Sequence, residues 1–154
     1  MHNAGVYAGQ AGRRGEEGVP TLFGVNVLAP YILTCGVAAR PPGRHVYVSS
    51  GLHRGGGFDG GDIAAGGYGN TKLQVVMFAK AVARRWTGCL SNAVDPGWVP
   101  TKMGGPTATD DLDKAVDTYV MLAVGKGVPG DFIVGIGEDK WGQVEGVKAE
   151  WVDG

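Results

Sequence analysis

A tyrosine and a lysine four positions apart, Tyr68 and Lys72, are the pair in this sequence best suited to proton transfer. On a helix, this spacing places the two side chains on one face, one turn apart. A free tyrosine has a pKa of about 10, which is too high for a general base at neutral pH. A neighbouring ammonium group favours the phenolate and lowers that pKa, so Tyr68 could donate or accept a proton. The same pair also occurs by chance in helices, so the spacing alone does not establish a site.

Two further polar segments are predicted to lie near this pair. Ser49 and Ser50 end an apolar, β-branched run, and Asp95 with the turn Pro96-Gly97 ends another. The carboxyl ends of parallel strands meet at one edge of a sheet, where ligands bind in open α/β folds. The sequence therefore predicts that hydroxyl, phenol, ammonium and a Pro-Gly turn converge at one edge.

The elements that would position these groups alternate between helices and strands. Such alternation is typical of an α/β fold with parallel strands and right-handed crossovers. One helix is apolar on two sides, so it needs a partner helix from this chain or from a second subunit in addition to the sheet. The predicted helices are Thr21–Ala39 (bent near Pro30), Tyr68–Trp86 (apolar on two sides) and Asp110–Val124; the predicted strands are Arg44–Ser50, Cys89–Asp95 and Asp131–Gly135, with Val147–Val152 as a competing last strand.

Composition favours one globular domain over residues 1–154 and excludes several classes of function. The chain has 44% apolar and 19% charged residues and a net charge of −1, which gives no field to attract nucleic acid or an anionic membrane. Its two cysteines, Cys35 and Cys89, are far apart and are interpreted as reduced thiols of a cytoplasmic protein. The 29 glycines predict a mobile glycine-rich loop over residues 51–67. The uncharged segment 18–39 is long enough to be weighed as a membrane span, but glycines and Pro30 favour a buried helix.

Five segments in order resemble successive motifs of the short-chain dehydrogenases/reductases, a family of nicotinamide-dependent oxidoreductases. They cover most of residues 2–103 and are HNAG at His2–Gly5, NVLAPY at Asn26–Tyr31, VYVSSGLH at Val46–His53, YGNTK at Tyr68–Lys72 and NAVDPGWVPTKM at Asn92–Met103. The resemblance implies the C-terminal half of a Rossmann-like, doubly wound parallel sheet, with about three strands and flanking helices. It also implies NAD or NADP as cofactor, hydride transfer to or from a small carbonyl or secondary alcohol, and a substrate loop and helix within residues 102–130.

The roles that the resemblance implies can be assigned residue by residue. Tyr68 would be the general acid/base, Lys72 would lower its pKa and bind the nicotinamide ribose, and Ser50 would stabilise the developing alkoxide. Asn26 would hold a water in the proton relay. The remaining residues implied to bind the cofactor are Asn3, Ala4 and Gly5 beside the central strand, and Pro96, Gly97 and Thr101 around the nicotinamide.

The family's opening strand and its glycine-rich turn have no counterpart ahead of the first motif. At about 30 residues for each βα unit, this predicts the loss of roughly 90 residues that would hold the adenosine end of the cofactor. Two expectations follow: an exposed sheet edge that favours a homo-oligomer or a marginally stable chain, and a non-catalytic fragment as the alternative to an enzyme.

Three other sites are disfavoured by the sequence. Gly55–Gly60 matches G-x-G-x-x-G, but it does not lead from a strand into a helix. Ser50 and His53 could belong to a serine hydrolase, but the G-x-S-x-G turn is missing. The histidines and cysteines have no spacing that suits a metal, so no metal site is predicted.

Overall fold

The computed structural model describes residues 1–38, 43–57, 60–126 and 133–135. Three parallel strands, β1 (Arg44–Val48), β2 (Leu90–Val94) and β3 (Ile133–Val134), are hydrogen-bonded in the order β1-β2-β3. On the outer edge of β1, His2 forms an isolated parallel bridge with Tyr47. The predicted α/β class and parallel sheet are confirmed, whereas the competing strand Val147–Val152 lies outside the described residues.

The helices follow the predicted order with small changes at their ends. The segment predicted as one helix from Thr21 consists of α1 (Thr21–Phe23), a π-helical turn (Gly24–Leu28) and α2 (Ala29–Gly36). Its irregularity is thus the π-helical turn that precedes Pro30. The other two helices are α3 (Tyr68–Arg85) and α4 (Leu112–Val124).

Asp111 explains where α4 begins. Its carboxylate accepts hydrogen bonds from the backbone N–H groups of Asp113 and Lys114, which have no partner inside the helix.

The core has two layers because neighbouring residues of a strand point to opposite faces. Tyr47 and Ala93 pack against α3, while Val46 and Val94 pack against Leu122 of α4. Helices therefore cover both faces of the sheet, as expected for a doubly wound arrangement. Among the described residues, no helix is both long and apolar enough to cross a bilayer.

The glycine-rich segment after β1 differs from the mobile loop predicted for residues 51–67. Its first part forms a 3-10 helix, Gly51–Gly55, that packs against the start of α3. A Cβ at Gly56 would lie 2.7 Å from the backbone oxygen of Gly69, and one at Gly69 would lie 2.9 Å from that of Leu52. Here glycine permits close backbone packing, which the sequence prediction took only as a sign of mobility.

Candidate active site

A cavity of about 840 Å³ opens at the carboxyl ends of β1 and β2, where the sequence predicted a site. It is lined by the ends of both strands, the start of α3, the N-terminal segment and the turn after β2. Apart from Asn26, each residue predicted to act in catalysis or cofactor binding lines it: Asn3, Ala4, Gly5, Ser50, Tyr68, Lys72, Pro96, Gly97 and Thr101.

Tyr68 is the first residue of α3 and is half-buried in this cavity. Its ring meets the ring of Tyr7 edge-on, with centroids 4.5 Å apart. The pKa of Tyr68 is raised above its ordinary value, mainly by burial. The side chain of Ser50 lowers this pKa, whereas Tyr7 and Asp95 raise it further. Tyr68 is therefore protonated at neutral pH and suited to donate a proton.

Lys72 lies one helical turn further along α3 and is buried. Its Nζ donates a hydrogen bond to the carbonyl oxygen of Val48 over 2.8 Å and lies 5.4 Å from the centroid of the Tyr68 ring. Burial lowers the pKa of Lys72 to about 8. Lysine and tyrosine thus share one face of α3, as the spacing predicted, and Lys72 is held by its hydrogen bond to the end of β1. The prediction that Lys72 lowers the pKa of Tyr68 is wrong for this structure, because burial raises that pKa.

The two serines after β1 have different surroundings. Ser49 is buried, and its hydroxyl donates to the backbone oxygen of Lys72 over 2.9 Å. Ser50 is half-buried and caps the following 3-10 helix, with Oγ accepting from the N–H of Leu52 over 3.3 Å. Ser50, whose side chain also lowers the pKa of Tyr68, is therefore the serine placed to meet a ligand.

Asn26 does not line the cavity; it anchors a segment that does. Its Oδ1 accepts from the N–H of Val6 over 2.8 Å, and its Nδ2 donates to the oxygen of Val6 over 3.0 Å and to Oγ1 of Thr71 over 3.1 Å. This buried side chain in the π-helical turn thereby holds the Asn3–Gly5 segment beside α3. That contact did not follow from the motifs, because it joins side chain to backbone across distant segments.

The turn after β2 forms the opposite wall. Gly97 has a positive φ of 69°, a conformation that favours glycine, and its N–H donates to Oδ1 of Asp95 over 3.1 Å. Thr101 is exposed, and its Oγ1 accepts from the N–H of Gly104 over 3.1 Å.

The cavity lining also includes residues to which the sequence analysis gave no role, among them Tyr7, Asp95, Trp98 and Tyr119. Trp98 is exposed, and its Nε1 donates to the oxygen of Gly104 over 2.8 Å. The position of Asp95 at a strand end was a usable signal. Tyr7 and Tyr119 come from distant segments and carried none.

Two other kinds of site, a metal centre and a serine hydrolase, can be checked against the described residues. Among the described residues, no group of three His, Cys, Asp or Glu side chains could hold a metal ion. His53 is buried, and its Nδ1 lies 2.6 Å from the backbone oxygen of Ser50, so it does not face the hydroxyl as a hydrolase base would. Of Gly55–Gly60, residues 58 and 59 lie outside the described part.

Comparison with known proteins confirms the resemblance seen in the motifs. The chain is 41% identical over 131 residues to an uncharacterised oxidoreductase of Emericella nidulans, covering 82% of this chain and 51% of that protein. It is 40% identical over 134 residues to the short-chain dehydrogenase chyC of Penicillium rubens, covering 80% and 51%. The chain therefore spans about half the length of the curated relatives it matches. No protein-family profile matches the sequence.

Solved structures show the same fold at lower identity. A protein of Burkholderia multivorans with bound NADP, classed as a short-chain dehydrogenase/reductase, superposes with a TM-score of 0.64 at 24% identity, covering 88% of this chain and 62% of that one. The NADPH-dependent 3-quinuclidinone reductase of Rhodotorula rubra gives 0.63 at 20% identity, covering 88% and 58%.

Proposed function

We propose that this chain, which is related in sequence and fold to the short-chain dehydrogenases/reductases, supplies the catalytic part of a nicotinamide-dependent oxidoreductase acting on a small carbonyl or secondary alcohol. The observation that carries the proposal is the cavity that brings Ser50, Tyr68 and Lys72 together. Nothing in the comparisons favours the alternative of a fragment that binds no cofactor.

The lining residues beside Lys72 could accommodate a nicotinamide. The lining includes Asn3–Gly5 and the turn that contains Pro96 and Gly97. A Cβ at Gly5 would lie 3.6 Å from Nζ of Lys72, so glycine keeps the space beside the ammonium open. These residues would hold the nicotinamide and its ribose, and the bound cofactor would supply the hydride.

The proton chemistry belongs to the chain's own side chains. The side chain of Ser50 is close enough to Tyr68 to lower its pKa, and both residues line the cavity, so a carbonyl oxygen could be bound between them. Tyr68 gives its proton to this oxygen as hydride reaches the carbon, and Ser50 stabilises the developing charge. In the reverse direction the phenolate removes the proton of the alcohol.

Direction and pH are coupled through Tyr68. Because its pKa is raised, the protonated form dominates at neutral pH and favours carbonyl reduction. Alcohol oxidation needs the phenolate and should increase as pH rises toward that pKa.

The first test is an equilibrium titration of the chain with NADH and with NADPH, followed by nicotinamide fluorescence, together with an assay of carbonyl reduction. Saturable binding that weakens in Lys72→Ala is expected, because Lys72 is the cation in the cavity wall beside Gly5. Lys114→Ala, on α4 and outside the cavity lining, is the matched control and should bind as the wild type. No binding of either cofactor at millimolar concentration would overturn the proposal.

We also propose a homo-oligomer and a cytoplasmic location. Exposed apolar side chains on α2, at Tyr31, Ile32 and Leu33, support self-association, and sedimentation as a monomer would contradict it. The free thiols Cys35 and Cys89 support a reducing compartment, which imaging of the tagged protein would test.

A further inference from the structure

Asp95 is an acidic side chain inside the cavity that the proposed reaction does not use. It follows the last residue of β2 and is half-buried. Its Oδ1 accepts the N–H of Gly97 over 3.1 Å, which fixes the orientation of the carboxylate. This bond uses Oδ1 and does not occupy the other carboxylate oxygen, Oδ2.

The second oxygen lies directly against the segment that carries Ser50. A Cβ at Gly51 would be 2.8 Å from Oδ2 of Asp95, closer than real Cβ atoms come. With a larger residue at position 51, the carboxylate would have to shift from its present position. In that present position, a negative charge lies next to the hydroxyl that would bind the substrate oxygen.

The charge of Asp95 acts across the cavity. It is among the causes that raise the pKa of Tyr68 and of Tyr119, after burial, which is the largest cause for both. Tyr119 comes from α4, on the other side of the cavity from the start of α3. A ligand between these two tyrosines would experience the same negative field.

Aromatic side chains form part of the lining of the cavity that contains Asp95. Tyr7, Tyr68, Trp98 and Tyr119 all line the cavity with Asp95. Aromatic faces attract organic cations, and a carboxylate adds a charge-assisted hydrogen bond to an ammonium N–H. A carboxylate within an aromatic wall is thus suited to an alkylammonium group and unsuited to an anion.

Three positive side chains lie near the cavity, and they differ in their distance from Asp95. Nζ of Lys72 is buried and donates to the oxygen of Val48, and Lys102 is exposed at the cavity rim. Arg54 is also exposed, with Nη1 3.4 Å from the position of a Cβ at Gly51. Arg54 is a positive side chain that could compete with a cationic ligand for Asp95. Removing the charge of Arg54 should therefore affect ligand binding in the opposite direction from removing the charge of Asp95.

We propose that Asp95 makes the cavity selective for carbonyl substrates that carry a positively charged amino group next to the reacting carbonyl. This inference rests on the proposed function, because it places the carbonyl at Ser50 and Tyr68. Substrates with a carboxylate at the same position, such as 2-oxo acids, are disfavoured by the like charge.

The test uses four phenyl ketones that differ only in the group beside the carbonyl: methyl, hydroxymethyl, protonated dimethylaminomethyl and carboxylate. Dissociation constants are measured by calorimetry on the whole chain at mildly acidic pH, without cofactor. The ammonium ketone should bind about tenfold more tightly than the methyl ketone, and the carboxylate most weakly. In Asp95→Asn the ammonium preference should disappear, while affinity for the methyl ketone stays within about twofold.

Arg54→Gln is the matched control, and it should leave the ammonium preference intact or increase it. The proposal is overturned if the four ketones bind equally, if none binds, or if the preference survives in Asp95→Asn. A preference that belongs to the hydroxymethyl ketone instead would also contradict it. Reduction of the methyl ketone, assayed separately with NADPH, reports on the proposed oxidoreductase activity, so the two ideas can fail independently.

Discussion

Two clusters around a tyrosine lie next to β1, and they differ in what surrounds them. The β1 cluster, composed of His2, Thr34, His45 and Tyr47, is enclosed between the strand and the helices. The cavity cluster, composed of Ser50, Tyr68 and Lys72, lies where the strand ends. Both combine a phenol, a hydroxyl and a basic side chain.

Enclosure determines what each cluster can do. Tyr47 is fully buried, and its hydroxyl shares a hydrogen bond of 2.8 Å with the hydroxyl of Thr34. Burial raises the pKa of Tyr47 to about 12. Tyr68 has a similar hydroxyl partner in Ser50, but it faces a cavity that a ligand can enter. The comparison teaches that a phenol with a hydroxyl partner becomes a candidate acid only at the open edge of the sheet.

The sharpest test of this contrast is Tyr68→Phe. Removing the phenol takes away the proposed proton donor, so kcat/KM for carbonyl reduction should fall by at least about a hundredfold. The melting temperature should change little, because the ring and its packing against Tyr7 remain. The contrast fails if Tyr68→Phe keeps more than about a tenth of the activity under cofactor saturation.

Gly51→Ala tests the crowding that is special to the open cluster. The new Cβ would meet Oδ2 of Asp95 at 2.8 Å, so either the carboxylate or the segment carrying Ser50 must move. We expect kcat/KM to fall by about tenfold, and the double variant Gly51→Ala/Asp95→Ala to regain most of it, since contacting residues couple by about 0.5–3 kcal/mol. Additive losses in the two single variants would show that the contact does not matter.

Much of this architecture was predictable because it rests on local patterns. The apolar runs predicted β1 and β2 to within two residues at each end, and the spacing of Tyr68 and Lys72 predicted their shared helical face. Five motifs in order then indicated which residues line one cavity. Asp131–Gly135 was predicted as the last strand, and the described part of it contains β3.

The remainder depended on contacts between distant segments. Two such contacts are the approach of the Asp95 carboxylate to Gly51 and the hydrogen bonds between Asn26 and the backbone of Val6. Neither contact produces a periodic pattern in the sequence. The 3-10 helix Gly51–Gly55 was missed because glycine was taken as a sign of mobility rather than of close packing. In each case tertiary packing determines the role of the residue.

Tyr47→Phe is the counterpart in the enclosed cluster. It leaves the Thr34 hydroxyl without its phenol partner in a buried place, so the free energy of unfolding should fall by about 1 kcal/mol. Activity should stay within about twofold, because Tyr47 does not line the cavity. Urea unfolding of Tyr47→Phe and of Tyr47→Phe/Thr34→Val measures the change in the free energy of unfolding. The double variant should recover part of the loss, because the phenol and the hydroxyl that bond to each other are then both removed.

The free energy of unfolding should fall in acid because of the two histidines of the β1 cluster, His2 and His45. Burial is the main cause that lowers the pKa of His2 to about 4 and also lowers that of His45. Both are therefore neutral in the fold, while the unfolded chain takes up protons below its ordinary value of 6.5. The unfolded state then binds more protons, so stability is lost as pH falls from 6.5 toward about 4. His2 is half-exposed, so we expect the variant His2→Phe to reduce the loss at about pH 5.5 by only a few tenths of a kcal/mol. Equal acid sensitivity in wild type and His2→Phe, measured by urea unfolding at the two pH values, would indicate that other groups carry it.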